Sequence, residues 1–181
     1  CGTIVKNLLT FARQAPFNPQ KNDLGEIVER CLLLVGHQCE LQQVEVECHL
    51  DPKTPAIYCD AGQIQQVFLA LLMNAVQAMP QGGRLKVETS YQAERGEVRI
   101  TVSDEGMGIP EDVLPHVFEP FFTTKAEGKG VGLGLAIAFG IVQQHRGNIE
   151  VSSGPQKGTT FTVMLPVEAQ LAPRETVTSD K

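Results

Sequence analysis

The sequence predicts an α+β fold, a two-layer sandwich in which a mixed, mainly antiparallel sheet carries helices on one face. Three observations predict it. Apolar residues alternate over 85–91 and 97–103, with the polar turn 92–96 between them, and again over 149–153 and 160–165 around Gly154-Pro155-Gln156-Lys157-Gly158. Stretches with a 3.6-residue apolar period separate these pairs. The resulting order of helix, strands, helix, hairpin, helix, hairpin makes neighbours antiparallel and leaves helices on one side, unlike a doubly wound sheet.

Residues 1–13 place Ile4, Val5, Leu8, Leu9 and Phe11 at helical spacing, and the expectation is an amphipathic helix cut at its front. Pro16 and Pro19 break it, so 14–22 reads as a linker. The spacing predicts a helix over 24–40, with Asp23 as N-cap and Glu26 completing a capping box. Its apolar set is Leu24, Ile27, Val28, Cys31, Leu32 and Val35. Val44, Val46 and Cys48 alternate with Glu45, Glu47 and His49 as a half-buried strand, and 56–59 is a short second strand. Asp60 then caps a helix running to about Met79, with Gln63 at capping-box spacing. Ile64, Val67, Phe68, Leu71, Leu72, Ala75 and Val76 form its wide apolar face, and Gln66, Ala70, Asn74 and Gln77 share a second face. A last helix covers 134–145, with Gly147 as its C-terminal glycine. Pro166 ends the last strand, and the polar tail 169–181 reads as disordered.

The chain has 181 residues, 42% hydrophobic and 20% charged, which suits one globular domain with appendages. A net charge of −6 without a Lys/Arg block argues against a nucleic-acid or anionic-membrane surface. No apolar run is long enough to span a bilayer. The five cysteines form no C-x-x-C pair, which argues against zinc or redox chemistry. His37, His49, His116 and His145 make no metal or triad spacing and read as non-catalytic. The chain opens on Cys1 in mid-pattern, so the expectation is a piece of a longer protein.

The stretch from Asp104 to Leu135 carries the chemistry. An apolar strand runs into Asp104-Glu105-Gly106-Met107-Gly108, and the stretch closes on Gly128, Gly130, Gly132 and Gly134 before a helix. Glycine in a regular element is unfavourable by about 0.5–1 kcal/mol, so such a density marks backbone that must approach a ligand. An ionised Asp104 only accepts hydrogen bonds, which suits the exocyclic amino group of adenine and rejects the guanine carbonyl. The alternative is an aspartate that caps its own turn. Asn74 lies mid-helix among apolar residues, where its amide oxygen could ligate Mg²⁺. The alternative there is a solvated helix asparagine. The alternating glycines before a helix start point to phosphate binding by backbone N–H groups. No Walker A is present, since Gly128-Lys129 is followed by Gly130, and neither glycine cluster reads G-x-G-x-x-G. Lys125 could meet a phosphate as a point charge or stand in solvent. Phe118, Phe121 and Phe122 either pin this segment to the core or form a docking surface, pinning being the simpler reading.

These residues resemble the catalytic ATP-binding domain of two-component sensor histidine kinases, in the wider family with gyrase B, Hsp90 and MutL, over residues 22–167. Gln66–Met79 resembles the N box, with Asn74 as the Mg²⁺ ligand. Asp104–Pro110 resembles the first glycine box, with Asp104, Gly106 and Gly108 at adenine; Phe118–Phe122 resembles the F box. Gly130, Gly132, Gly134 and Leu135 resemble the second glycine box, at the phosphates, and Thr159 resembles a residue that reaches adenine through water. The threonines before Lys125 are most similar to nitrogen-regulation kinases. Ala70 and Gln77 depart from common N-box residues.

The resemblance implies a Bergerat fold, a lid over 106–130, and three parts: 1–21 as the end of a dimerisation helix plus linker, 22–168 as the catalytic domain, and 169–181 as tail. It implies Mg²⁺ and ATP as ligands and a phosphoacceptor histidine outside this chain. The partners implied are the protein's own dimerisation hairpin, in a homodimer, and a response-regulator receiver domain. The location implied is cytoplasmic, with a parent that can be membrane-anchored. Two other activities remain open, an ATPase switch of the gyrase or Hsp90 type and a serine kinase of the anti-sigma-factor type. Ala70 argues against the first, since those ATPases carry an acidic base there; the helix and linker at 1–22 argue against the second.

Overall fold

The computed structural model of the chain describes residues 17–124 and 131–168. The expectations placed on residues 1–13, on Lys125 and Gly130, and on the 169–181 tail lie outside these. The described elements are β1 (Gln20–Asn22), α1 (Leu24–Leu41), β2 (Val44–His49), β3 (Ile57–Cys59), α2 (Ala61–Ala78), β4 (Gly83–Gln92), β5 (Glu97–Asp104), a 3₁₀ turn at Leu114–His116, α3 (Gly134–Gln144), β6 (Asn148–Ser153) and β7 (Thr159–Pro166).

The main sheet runs β2-β4-β5-β7-β6, with β2 parallel to β4 and every other pair antiparallel. This is the α+β architecture expected from the alternating pattern. Leu85 and Val87 on β4, Val98, Ile100 and Val102 on β5, and Phe161, Val163 and Leu165 on β7 are buried on one face. They pack in one cluster with Ile64, Val67, Phe68, Leu71 and Leu72 of α2. Burial of each such side chain contributes about 1.5–3 kcal/mol, so this layer contact determines where α2 sits. Burial also pushes the Cys31 and Cys59 thiols up to about 11, which keeps both protonated.

Several local expectations need correction. Residues 20–22, read as linker, form β1, paired antiparallel with β3. Gln, Lys and Asn have poor strand preference, and pairing overrides it: Asn22 Nδ2 donates to the Cys59 carbonyl at 2.8 Å. Neither capping box closes among the described residues. Asp23 Oδ1 accepts from Gly25 N at 2.7 Å, and Glu26 instead pairs with Arg30 at 3.0 Å. Asp60 Oδ1 accepts from Gln63 N at 3.1 Å, and Gln63 Oε1 makes no reciprocal bond. The second Asp60 oxygen accepts from Asn18 N at 3.1 Å, tying the incoming chain to the start of α2. Val46 is 39% exposed and Cys48 is exposed as well, because an open groove remains between this edge strand and α1.

The end of α3 is also built differently. Gly147 N donates to Val142 O and Arg146 N to Gln143 O, both at 2.9 Å, the bond pair of a Schellman motif. Its left-handed residue is Arg146, at φ 56°, and not the glycine. Gly147 is needed for packing instead, because a Cβ there would fall on the Met164 carbonyl of β7. A left-handed non-glycine residue is unfavourable by about 1–2 kcal/mol. Arg146→Gly is therefore expected to raise the melting temperature by about 2–8 °C, checked by calorimetry. His145 closes the same corner. Its Nε2 accepts from Asp60 N at 3.0 Å, so Nδ1 carries the proton and donates to the Ile141 carbonyl at 2.8 Å.

Candidate functional site

Asp104 ends β5, the middle strand, between Leu85 of β4 and Thr159 of β7. The residue is 8% exposed. One oxygen, Oδ1, accepts from Gly106 N at 2.9 Å and from Thr159 N at 3.2 Å. The other, Oδ2, takes no protein hydrogen bond among the described residues. Burial raises the carboxyl pKa above its ordinary value, and the two N–H donors offset part of that rise. The carboxylate thus does both things its sequence context allowed. One oxygen caps the turn and the other remains to accept from something else.

The turn after Asp104 is wedged between α2 and the β6–β7 turn. Glu105 N donates to Arg84 O at 3.2 Å and Met107 N to Ala78 O at 3.1 Å. A Cβ on Gly106 would stand 2.6 Å from the Ala78 carbonyl and 2.8 Å from Asp104 Oδ1. Gly108 has φ 71°, and a Cβ there would fall on the Gly154 carbonyl. Met107 O accepts from Gln156 N at 2.9 Å, and Ile109 N donates to Ser153 Oγ at 2.8 Å. Ser153 and Gly154 had no motif to mark them in the sequence. Only the register of β6 against β7 brings them here.

Asn74 lies on α2 on the face shared with Ala70, both part-buried, while Gln77 on that face is exposed. The first residue of α3, Gly134, faces that helix: a Cβ on it would stand 3.8 Å from Ala70 Cβ. The start of α3 and the amide of Asn74 are therefore about one helical turn apart along α2. Leu133, the N-cap of α3, offers no side-chain bond, and the first turn holds no acid. Its N–H groups keep their positive potential without a side chain to neutralise it. No group of three His, Cys, Asp or Glu side chains is gathered among the described residues. A divalent cation at Asn74 would thus draw most of its oxygens from water and a bound anion, as Mg²⁺ commonly does.

Gly132 has φ 68°, and a Cβ there would stand 2.5 Å from the Phe122 carbonyl. Its own carbonyl accepts from Phe121 N at 2.9 Å, so Phe121 and Phe122 brace the glycine stretch before α3. Leu135 is half-buried against the core. Phe118 packs on Phe139 of α3 at 5.4 Å and on Phe161 at 6.4 Å between ring centroids. Phe122 meets His116 at 5.6 Å. The expectation that all three phenylalanines pin the segment needs correction at Phe121. Its left-handed backbone, φ 66°, serves the bond to Gly132 and leaves the residue 59% exposed. Thr159 is 5% exposed; its N–H is on Asp104 and its hydroxyl lies 2.9 Å from Ser153 Oγ.

An acid at the end of a middle strand, a glycine turn under the end of α2 and a glycine-opened α3 beside an asparagine face are one constellation. The family described as histidine kinase-, DNA gyrase B-, and HSP90-like ATPase matches residues 59–169. The chain belongs to this family.

Within it, the histidine kinase branch is the one to which the chain is similar. Sensor histidine kinase ZraS of Escherichia coli (strain K12) is 39% identical over 164 residues, covering 91% of this chain and 34% of that protein. Sporulation kinase E of Bacillus subtilis (strain 168) is 36% identical over 165 residues, covering 91% and 22%. The chain therefore spans about a fifth to a third of the length of these curated relatives. Full-length ShkA, solved in complex with AMPPNP, superposes with a TM-score of 0.80 at 26% identity, over 91% of this chain and 35% of that one. The mycobacterial sensor histidine kinase MprB gives 0.73 at 30% identity, over 83% and 99%. The fold is that of a histidine kinase catalytic domain. Among the described residues no helix of this ATPase domain is long and apolar enough to cross a membrane.

Proposed function

We propose that this domain binds Mg–ATP between α2, the 104–109 turn and the start of α3, and presents the γ-phosphoryl group to a histidine on a dimerisation hairpin. The observation that carries the reading is the divided carboxylate of Asp104. The residue is 8% exposed and its Oδ2 has no protein donor among the described residues, and the amino group of adenine is the donor that fits it. Guanine would set a carbonyl against it, leaving two acceptors unpaired at about 1–3 kcal/mol. Gly106 and Gly108 shape the turn that receives the base, and Thr159 holds Asp104 by its N–H.

The phosphates belong at the start of α3, where Gly132, Gly134 and Leu135 supply backbone N–H groups; Gly130 and Lys125 are proposed to join them. Asn74 would hold Mg²⁺ through its amide oxygen, and the ion would screen phosphate charge as the nucleophile approaches. This chain's own residues bind and orient. None of them is a covalent nucleophile, so rate enhancement comes from positioning. Ala70 offers only a methyl group one turn before Asn74, so nothing there could act as a base on water. That favours phosphoryl transfer over ATP hydrolysis. In the parent protein, in a homodimer at the cytoplasmic side, the phosphoryl group would pass on to an aspartate of a response-regulator receiver domain. The relative ThkA, 25% identical with a TM-score of 0.76, was solved in complex with the response regulator protein TrrA.

The test is transfer. With γ-labelled ATP and a separately supplied phosphoacceptor hairpin, label is expected on the hairpin and not on this chain. Label on this chain alone, or phosphate release that ignores the hairpin, would overturn the kinase reading.

A further inference from the structure

We infer that Ser153 is a positioning residue of the nucleotide site and helps determine its choice of base. This rests on the reading of Asp104 given above. Ser153 ends β6, 49 positions from Asp104 in the chain by their residue numbers. Its hydroxyl nevertheless stands at the centre of the junction between the Asp104 turn and the β6–β7 turn. Oγ accepts from Ile109 N at 2.8 Å, donates to Gly158 O at 2.8 Å and lies 2.9 Å from Thr159 Oγ1. A serine hydroxyl has one proton to give and two lone pairs to offer. With the proton on the Gly158 carbonyl, the lone pairs take the Ile109 N–H and the Thr159 hydroxyl, and Ser153 is fully satisfied.

Each of those three partners touches the base-reading turn. Ile109 N belongs to the peptide that follows Gly108, so its bond sets how that peptide lies. Gly158 has φ 70°, and a Cβ there would fall on the Asp104 carbonyl, so its placement bears on the Asp104 backbone. Thr159 N donates to Asp104 Oδ1. That bond and the one from Gly106 N together orient the carboxylate, and so aim Oδ2. Ser153 thus bonds both turns at once through a single oxygen. It touches no position assigned to the nucleotide except through Thr159, and acts by way of Asp104 and the 108–109 peptide.

Removing the hydroxyl in Ser153→Ala orphans the Ile109 N–H and the Thr159 hydroxyl without adding bulk. The turn can then relax, and Oδ2 is no longer held on one line. Guanine makes no favourable bond to Oδ2, so it loses less than adenine does when the carboxylate slackens. The experiment titrates ATP and GTP, each with Mg²⁺, into the whole 181-residue chain and its variants by calorimetry, with melting temperature measured alongside. Ser153→Ala is expected to weaken ATP by about tenfold, the scale of one net hydrogen bond felt at the base, with GTP weakened less, so that the ATP/GTP ratio falls. Ser153→Thr, which keeps the hydroxyl, is expected to restore the ratio. Unchanged ATP affinity in Ser153→Ala would overturn the inference. So would an equal loss for both nucleotides, which marks general destabilisation, or a threonine variant that restores stability and leaves the ratio low. Asp104→Asn separates the two levels. If it leaves ATP binding intact, the site assignment itself fails; if it weakens ATP while Ser153→Ala does not, only the role of Ser153 fails.

Discussion

Asp104→Asn is expected to weaken ATP binding by between about tenfold and a hundredfold while leaving the nucleotide-free domain no less stable at pH 7. The two effects separate because the two oxygens of Asp104 have different partners. An asparagine oxygen in place of Oδ1 can still accept from Gly106 N and Thr159 N. The amide NH₂ then replaces Oδ2 and points a donor at the donor of adenine. A hydrogen bond to a charged acceptor contributes about 1.5–3 kcal/mol, which sets the expected range. Stability moves the other way. Burial raises the Asp104 pKa above 3.8 in the folded state, so the folded protein holds this proton more tightly than the unfolded chain does. The ionised form therefore opposes folding. That cost is absent below the unfolded pKa, grows as pH rises through the window between the unfolded and folded values, and is fully present at neutrality. The neutral amide of the variant carries no such cost, so its advantage is expected at pH 7 and gone in acid below the ordinary carboxylate pKa. Calorimetric titration with Mg–ATP and thermal melts at the two pH values check both halves. A variant that melts lower at pH 7 yet binds ATP as before would show that Asp104 serves the fold alone.

Gly108→Ala is expected to be among the costliest substitutions in the site, whereas Gly154→Ala should be nearly silent. The two glycines face each other across one junction, but the contact is not symmetric. Gly108 lies at φ 71°, and its added Cβ would meet the Gly154 carbonyl, a backbone atom that can move only with the whole β6–β7 turn. A Cβ on Gly154 instead meets the flexible Lys157 side chain at 3.4 Å, an ordinary contact. The left-handed conformation alone is unfavourable by about 1–2 kcal/mol for alanine, and displacing the junction adds a backbone shift of the kind that costs typically about 1–3 kcal/mol. A loss of about 3 kcal/mol corresponds to a fall of roughly 6–12 °C in melting temperature for a domain of this size. ATP binding should be lost as well, since the Met107–Gln156 and Ile109–Ser153 bonds flank the same residue. Melting curves and Mg–ATP titrations of the two variants side by side test this. Equal losses at both positions would mean that the junction, and not the conformation of Gly108, sets the requirement.

Much of this site was legible in the sequence because its residues break local rules. Asn74 interrupts an apolar helix, and Gly106, Gly108, Gly132 and Gly134 crowd a short stretch around an acid. Such departures from propensity are visible without any knowledge of tertiary contacts. The structure adds why three of these glycines are required: Gly106 clears the Ala78 carbonyl, Gly108 the Gly154 carbonyl and Gly132 the Phe122 carbonyl. Ser153 breaks no rule. A serine at a strand end before a turn is ordinary, and its three bonds come from partners that only the fold supplies. The same holds for β1, whose polar residues become a strand by pairing with β3. It holds again for Arg146, which takes the left-handed position because Gly147 is claimed by the approach of β7.

By itself the sequence determined the main element types, their order, the covered face of the sheet and the acidic glycine turn that ends β5. These depend on period and covalent geometry, which act over a few residues. Only the tertiary structure decided that Asp104 commits one oxygen to Gly106 and Thr159 and keeps the other free of protein donors among the described residues. It alone placed the opening of α3 against Ala70, a turn from Asn74, and left Phe121 exposed. Those outcomes join residues tens of positions apart. They follow from strand register and from how α2 and α3 pack on one sheet, and no local pattern encodes either.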